Sequence, residues 1–100
     1  MTRPLEGRTA LITGASQGLG LAIARAYVEA GASVLMCARD VALLERARAE
    51  VAVLAHGEQV VLAQSADVSR RDDVERLVIA TLDNFPHLHI LVNNAGVYGP

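Results

Sequence analysis

The stretch T-G-A-S-Q-G-L-G, residues 13–20, constrains the fold of this chain more than any other feature. It follows the apolar run T-A-L-I at 9–12 and opens a long helical pattern that begins at Leu19. A strand that turns tightly into a helix leaves backbone N–H groups at the helix start without intrahelical partners, and these groups attract an anion such as a phosphate. The stretch therefore predicts a strand, a phosphate-binding turn and a helix.

The three glycines of this stretch have separate predicted roles. Gly14 allows the sharp turn, Gly18 omits the side chain that would keep a phosphate away, and Gly20 permits close packing of the helix on the strand. The general dinucleotide-binding fingerprint is G-x-G-x-x-G, whereas this chain has G-x-x-x-G-x-G. Taken alone, the turn is also compatible with an ordinary strand–helix connection.

Four apolar runs predict strands at 8–13, 33–38, 59–65 and 89–93. Apolar residues that run together rather than alternate are typical of strands buried on both faces. Because helical patterns separate these runs, the strands must pair in parallel through right-handed crossovers. We therefore expect an α/β fold, a partial doubly wound parallel sheet of Rossmann type, with element order β-α-β-α-β-α-β and strand order 3-2-1-4.

The first predicted helix covers residues 19–30. Arg25 and Glu29 are spaced as an i,i+4 pair on its solvent side. Gly31 supplies the left-handed position that commonly follows the end of a helix.

Local signals also mark the second and third helices. Asp40 is the expected N-cap of the second helix, and Gly57 its end. Ser69 and Asp72 resemble a capping box for the third, which ends before Pro86. The apolar stripe of the third helix is Val74, Leu77, Val78, Thr81, Leu82 and Phe85.

Composition narrows the class of protein. The chain has 100 residues of which 52% are apolar, which indicates a domain with a large core. No apolar run approaches the ~20 residues of a membrane-spanning helix, and the N-terminus lacks the apolar segment of a signal peptide. The net charge is −2 and the basic residues are scattered, so we expect no nucleic-acid partner. With Cys37 as its only cysteine, expected to be buried, the chain is interpreted as cytoplasmic.

Four sequence elements in order resemble those of the short-chain dehydrogenase/reductases. They are T-G-A-S-Q-G-L-G at 13–20, C-A-R-D at 37–40, D-V at 67–68 and N-N-A-G at 93–96. The chain is similar to the single-domain branch with T-G-x-x-x-G-x-G, over essentially its whole length. The resemblance implies an oxidoreductase that moves hydride between a nicotinamide cofactor and a carbonyl or secondary alcohol. It also implies that residues 1–100 are the N-terminal, cofactor-binding portion of a protein whose full-length form is a homo-oligomer.

The same resemblance implies which residues bind the cofactor. The backbone of Ser16, Gln17 and Leu19 would follow the phosphates and a ribose. The full expected set is Gly14, Ser16, Gln17, Gly18, Leu19, Gly20, Arg39, Asp67, Val68, Asn94, Ala95 and Gly96.

The adenine and nicotinamide ends are implied in the same way. Asp67 would accept a hydrogen bond from the adenine amino group, with the Val68 amide near the ring, and residues 94–96 would line the ribose on the nicotinamide side. Asp67 has an alternative role as a brace of its own loop. Asn93 is expected to tie the fourth strand to its neighbours rather than to touch the cofactor.

Charge at the end of the second strand argues for NADP over NAD. A family member selective for NAD carries an acid there, which accepts from the ribose hydroxyls. This chain has Ala38 at that position and then Arg39, whose forked guanidinium suits a phosphate. The rival interpretation makes Asp40 the ribose acid and Arg39 a solvated residue.

The residues that perform the chemistry in this family are missing. Its tyrosine and lysine form a Y-x-x-x-K pair, but this chain has no lysine, and its tyrosines are Tyr27 and Tyr98. No spacing assembles the three histidines into a catalytic or metal site. We therefore expect no catalytic residue here, and the alternatives are an inactive dinucleotide-binding or regulatory module, or a truncated fragment. An unpaired fourth strand would also make the isolated chain marginally stable, aggregation-prone or dependent on a partner.

Overall fold

The computed structural model describes residues 3–94 as a parallel sheet with helices on both faces. The elements are β1 Thr9–Thr13, α1 Gly18–Glu29, β2 Ser33–Ala38, α2 Val41–Ala52, β3 Val61–Ser65, α3 Arg71–Asn84 and β4 Ile90–Val92. The strand order is β3-β2-β1-β4. The predicted element order, strand order and doubly wound architecture are confirmed.

The register of the sheet places β1 at its centre. Thr9 of β1 is aligned with Ser33 of β2, and Ala10 is aligned with Ile90 of β4. The winding of the chain reverses between β1 and β4, and parallel sheets of this type bind ligands outside the carboxyl ends of their strands at that point.

Alternate residues of each strand enter two separate cores. On one face, Ile12 and Met36 are fully buried under α1 and α2. On the other face, Leu35 and Cys37 pack with Leu77 of α3. The burial of Cys37 is confirmed, with 1% of the residue exposed.

The predicted stripe of α3 is only partly buried. Leu77, Thr81 and Phe85 are covered, whereas Val74, Val78 and Leu82 are 36–56% exposed. The stripe is wider than the row of residues through which α3 meets the sheet. Leu91 of the edge strand β4 is 63% exposed beside it, so among residues 3–94 no element covers this apolar surface.

Two of the expected helix-end signals are confirmed. Asp40 caps α2 by accepting a hydrogen bond at Oδ1 from the Leu43 amide at 3.0 Å. Gly31 has a φ of 107°, in the left-handed region that follows a helix. The predicted end of α2 at Gly57 is wrong, because the helix stops at Ala52 and Gly57 lies in the loop that follows it, with a φ of 62°.

Two other expectations about the helices are wrong. Arg25 pairs with Glu50 of α2 at 3.1 Å rather than with Glu29, because α1 and α2 lie side by side on the same face. Ser69 does not cap α3, whose N-cap is Arg70 without a side-chain hydrogen bond. The Ser69 hydroxyl donates instead to the Asp67 carboxylate. The strands β1, β3 and β4 are one or two residues shorter than predicted, and the first helix begins at Gly18.

None of the helices described between residues 3 and 94 has both the length and the apolar character that crossing a bilayer requires.

Candidate functional site

A cleft of about 890 Å³ opens at the carboxyl ends of the strands. It brings together predicted residues from four separate segments, namely Gly14, Ser16, Gln17, Arg39, Asp67, Val68 and Asn94. Gly18, Leu19 and Gly20 form the adjoining first turn of α1. Ala95 and Gly96 lie outside the described residues. A smaller depression of about 530 Å³, between Arg3 and His56, contains none of the predicted residues.

The glycine turn adopts a backbone that favours glycine. Gly14 and Gly18 have φ values of 62° and 59°, in the left-handed region. The Ala15 amide donates to the Cys37 carbonyl at 3.0 Å, which ties the turn to β2. Gln17, the N-cap of α1, makes no side-chain capping bond, and no acid occupies the first turn. The positive end of α1 is therefore not neutralised by a carboxylate of its own and can receive an anion.

Gly20 lies where α1 approaches the strand ends most closely. A Cβ atom at this position would lie 2.0 Å from the Gly14 carbonyl oxygen and 2.7 Å from Asn94 Nδ2. The predicted role of Gly20 in close packing is confirmed. Asn94 also packs against this turn, since its Nδ2 donates to the Gly14 carbonyl at 3.3 Å.

Thr13 joins the ends of β1 and β4. Its Oγ1 accepts a hydrogen bond from the Asn94 amide at 2.9 Å and lies 3.2 Å from Asn93 Oδ1, to which it donates. Asn93 therefore ties β4 to its neighbour, as expected. Sequence reasoning gave Thr13 no role, although a threonine at the last position of a central strand was a signal that could have been used.

The end of β2 presents a charged side chain to the cleft. Ala38 is buried, whereas the Arg39 side chain is 80% exposed. The Nε atom of Arg39 lies 3.8 Å from Asp67 Oδ2. The next residue, Asp40, has its Oδ1 engaged with the Leu43 amide.

Asp67 follows β3 and braces its own loop. Its Oδ1 accepts hydrogen bonds from the Ser69 hydroxyl at 2.6 Å and from the Ser69 amide at 3.0 Å. These two bonds, with a smaller contribution from the charges of Arg39 and Arg70, lower the pKa of Asp67 below its ordinary value of 3.8. Asp67 is therefore ionised at neutral pH. The alternative role of Asp67, as a brace of its own loop, explains the two bonds that Oδ1 accepts. The other oxygen, Oδ2, lies on the side of Arg39.

Sequence reasoning missed two residues that hold this loop, Ser69 within it and Asp73 in the first turn of α3. Ser69 was assigned to the helix cap, and Asp73 was given no role. Asp73 Oδ2 accepts a hydrogen bond from the Asp67 backbone amide at 2.8 Å. Consecutive acids in a first helical turn are common for reasons of helix dipole alone, so the sequence carried no specific signal for this bond.

Cys37 lies at the floor of the cleft without the properties of a nucleophile. Burial, and secondarily the negative charge of Asp73, raise the pKa of its thiol to about 11. The thiol is therefore protonated at neutral pH, whereas the thiolate is the reactive form. Within the part of the chain that the structure describes, no three His, Cys, Asp or Glu residues are grouped to hold a metal ion. The described residues of the cleft are suited to binding a phosphorylated ligand.

Known proteins are similar to this chain in sequence and in fold. An uncharacterized oxidoreductase of Mycobacterium bovis is 39% identical over 97 residues, which is 97% of this chain and 38% of that protein. The structure of the Pseudomonas aeruginosa RhlG/NADP active-site complex matches with a TM-score of 0.84 and 39% identity, over 93% of this chain and 36% of the other. L-Sorbose reductase from Gluconobacter frateurii, complexed with NADPH and L-sorbose, matches with a TM-score of 0.88 and 34% identity, over 99% of this chain and 37% of the other.

This chain thus spans little more than a third of the length of these relatives. The family model for short chain dehydrogenases matches residues 8–100. Together with the parallel sheet and the glycine turn at its carboxyl end, this match shows that the chain belongs to the short-chain dehydrogenase family.

Proposed function

We propose that this chain is the cofactor-binding part of an oxidoreductase that transfers hydride between NADP(H) and a carbonyl or secondary alcohol. The observation that carries the choice of NADP is the arrangement at the end of β2. Arg39 is exposed there at the edge of the cleft, while the carboxylate of Asp40 is engaged in capping α2. A guanidinium whose neighbouring acid caps a helix favours a 2′-phosphate over a free ribose hydroxyl pair.

The described part of the cleft has groups suited to several parts of such a cofactor. The open N-terminus of α1 is suited to the pyrophosphate. Asp67 Oδ2, which lies 3.8 Å from Arg39 Nε and accepts neither Ser69 bond, is suited to accept from the adenine amino group. Asn94 would lie at the ribose on the nicotinamide side. When bound, the nicotinamide supplies or accepts the hydride. Two solved relatives, one in complex with NADP and one in complex with NADPH, are 39% and 34% identical to this chain, which supports the same cofactor here.

The 100 residues contain no lysine, so the Y-x-x-x-K pair of the family is not among them. We propose that residues 1–100 bind the cofactor without turning over a substrate by themselves. The glycine turn and the cleft also support a second candidate function, a dinucleotide-binding module without catalysis. Reduction of any carbonyl substrate by the purified chain would contradict both assignments.

We also propose an oligomeric state and a cellular location for the full-length protein. The exposed apolar side chains of α3 and β4, such as Ile79 and Leu91, support a contact with additional protein surface, and we propose a homo-oligomer for the full-length form. A single buried cysteine is compatible with a reducing compartment, and we propose a cytoplasmic location.

Substitution of Arg39 tests the choice of cofactor. In Arg39→Ala, the dissociation constant for NADPH is expected to rise about 10- to 100-fold, because a charge-assisted pair is lost, while that for NADH changes little. Fluorescence titration with both cofactors measures this. Arg46→Ala, which removes an exposed arginine of α2 away from the cleft, is the matched control. An unchanged preference in Arg39→Ala would contradict the proposal.

A further inference from the structure

Asp73 connects α3 to the loop that carries Asp67. It lies in the first turn of α3, and its side chain is only 18% exposed. Its Oδ2 accepts from the Asp67 amide at 2.8 Å, and its Oδ1 accepts from a terminal nitrogen of Arg76. Because both oxygens are engaged, the orientation of this carboxylate is fixed from two sides.

The bond from Asp67 to Asp73 occurs where the sheet ends. The preceding amide, that of Ala66, donates to the Ala38 carbonyl at 3.1 Å and so continues the pairing of β2 with β3. Asp67 has the next amide along the chain, and its acceptor is the Asp73 side chain. Asp73 therefore fixes the backbone of Asp67, the second residue after the end of β3.

The Asp67 side chain is fixed by a different partner. Ser69 donates twice to Oδ1, which sets the plane of the carboxylate and leaves Oδ2 on the side of Arg39. The position of Oδ2 in the cleft thus depends on two restraints, Ser69 on the side chain and Asp73 on the backbone. A hydrogen bond to a ligand weakens steeply when its acceptor moves out of line.

We infer that Asp73 is a positioning residue for the adenine end of the cofactor site and that it acts through Asp67. This inference rests on the proposed function, since it requires that Asp67 accept from the adenine amino group. Asp73 itself makes no contact with the cofactor. Removing its carboxylate releases the Asp67 amide and displaces Oδ2 from the amino group.

An NADPH analogue with hypoxanthine in place of adenine tests this inference, because hypoxanthine lacks the amino group. In Asp73→Ala, the dissociation constant for NADPH is expected to rise about fivefold to tenfold, while that for the hypoxanthine analogue changes less than about twofold. In Asp73→Asn, the amide oxygen still accepts from the Asp67 amide, so affinity for NADPH is expected to return to within about twofold of the unmodified protein.

Two variants serve as matched controls. Asp72→Ala removes an equal charge from the same helical turn at an exposed position, and Arg76→Ala removes only the second partner of Asp73. Asp72→Ala is expected to bind the two ligands as the unmodified protein does. Arg76→Ala keeps the bond from the Asp67 amide to Asp73, so it is expected to weaken NADPH binding less than Asp73→Ala does. If Asp73→Ala does not melt cooperatively, Asp73→Ser takes its place in the same comparison. Its side chain is shorter, so its hydroxyl lies farther from the Asp67 amide.

The outcomes separate this inference from the proposed function. Equal losses for NADPH and the hypoxanthine analogue in Asp73→Ala or Asp73→Ser would overturn the positioning role and leave the cofactor assignment intact. Failure of the unmodified protein to bind NADPH would overturn the cofactor assignment, and the inference with it. A selective loss for NADPH, restored in Asp73→Asn, is the expected result.

Discussion

The backbone amide of Asn94 donates to Thr13 Oγ1 at 2.9 Å, and this bond joins β4 to β1 at the point where the winding of the sheet reverses. The aligned pairs of the two strands end at Ile12 and Val92. The Thr13 side chain therefore extends the connection one step beyond the ladder, to the edge of the cleft. A residue that sequence reasoning passed over thus holds the two most distinctive loops of the chain together.

Replacing the Thr13 hydroxyl by a methyl group is expected to loosen this junction. Thr13→Val should lower the free energy of unfolding by about 1–3 kcal/mol, because the Asn94 amide loses its acceptor. It should also weaken cofactor binding, since the loops after β1 and β4 lose their link. Thr13→Ser keeps the hydroxyl and is the control. Urea unfolding and cofactor titration measure both effects, and equal behaviour of the two variants would contradict the assigned role.

A methyl group at Gly20 is expected to be poorly tolerated. The new Cβ would lie 2.0 Å from the Gly14 carbonyl oxygen, a backbone atom that cannot move without shifting the turn. Gly20→Ala should therefore destabilise the fold by several times the ~1 kcal/mol expected for Gly57→Ala. Gly57 has a φ of 62° with no atom within 4 Å of an added Cβ, so its variant carries only backbone strain. Thermal melting of the two variants tests this expectation. Similar melting temperatures would show that the turn at Gly14 shifts to make room for the added methyl group.

The parts of the fold that follow from local pattern were predictable. Continuous apolar runs gave β2 at its full length, and the parallel order followed because helices separate all four strands. The cap at Asp40 was predictable because it involves atoms only three residues apart. These features depend on short-range chemistry that the sequence displays directly.

Features that depend on packing between distant segments were not predictable. Arg25 selects Glu50 over Glu29 because α2 lies beside α1, which no local spacing indicates. The helix α2 ends at Ala52, although Gly57 was the expected end of this helix. In the cleft, the Ser69 hydroxyl donates to Asp67 instead of capping α3, and this partner is defined only once the loop has folded.

Substitution of Asp40 separates its two possible roles. If Asp40 only caps α2, Asp40→Ala should lower the free energy of unfolding by about 0.5–2 kcal/mol, and Asp40→Ser, which can also cap, should change it much less. Neither variant should alter the ratio of NADPH to NADH affinity. A selective loss of NADH binding in Asp40→Ser would instead favour the interpretation of Asp40 as the ribose acid.

The lowered pKa of Asp67 predicts how acid changes the stability of the protein. A carboxyl group whose pKa is lower in the folded state stabilises the fold fully above its unfolded pKa, here the ordinary value of 3.8, and loses that contribution as the pH falls through the folded pKa. The unmodified protein should therefore be more stable than Asp67→Asn at neutral pH.

This stability difference should be constant from neutral pH down to about pH 5 and should shrink below about pH 4, because protonated Asp67 no longer gains from the Ser69 bonds and the arginine charges. Urea unfolding of both proteins over this range measures it. Ser69→Ala removes the hydroxyl, the largest cause of the lowered pKa, but keeps the Ser69 amide, so this variant should lose part of the pH dependence. A difference that stays constant or grows on acidification would contradict the assignment, since only a carboxylate favoured in the folded state closes the gap as it gains its proton.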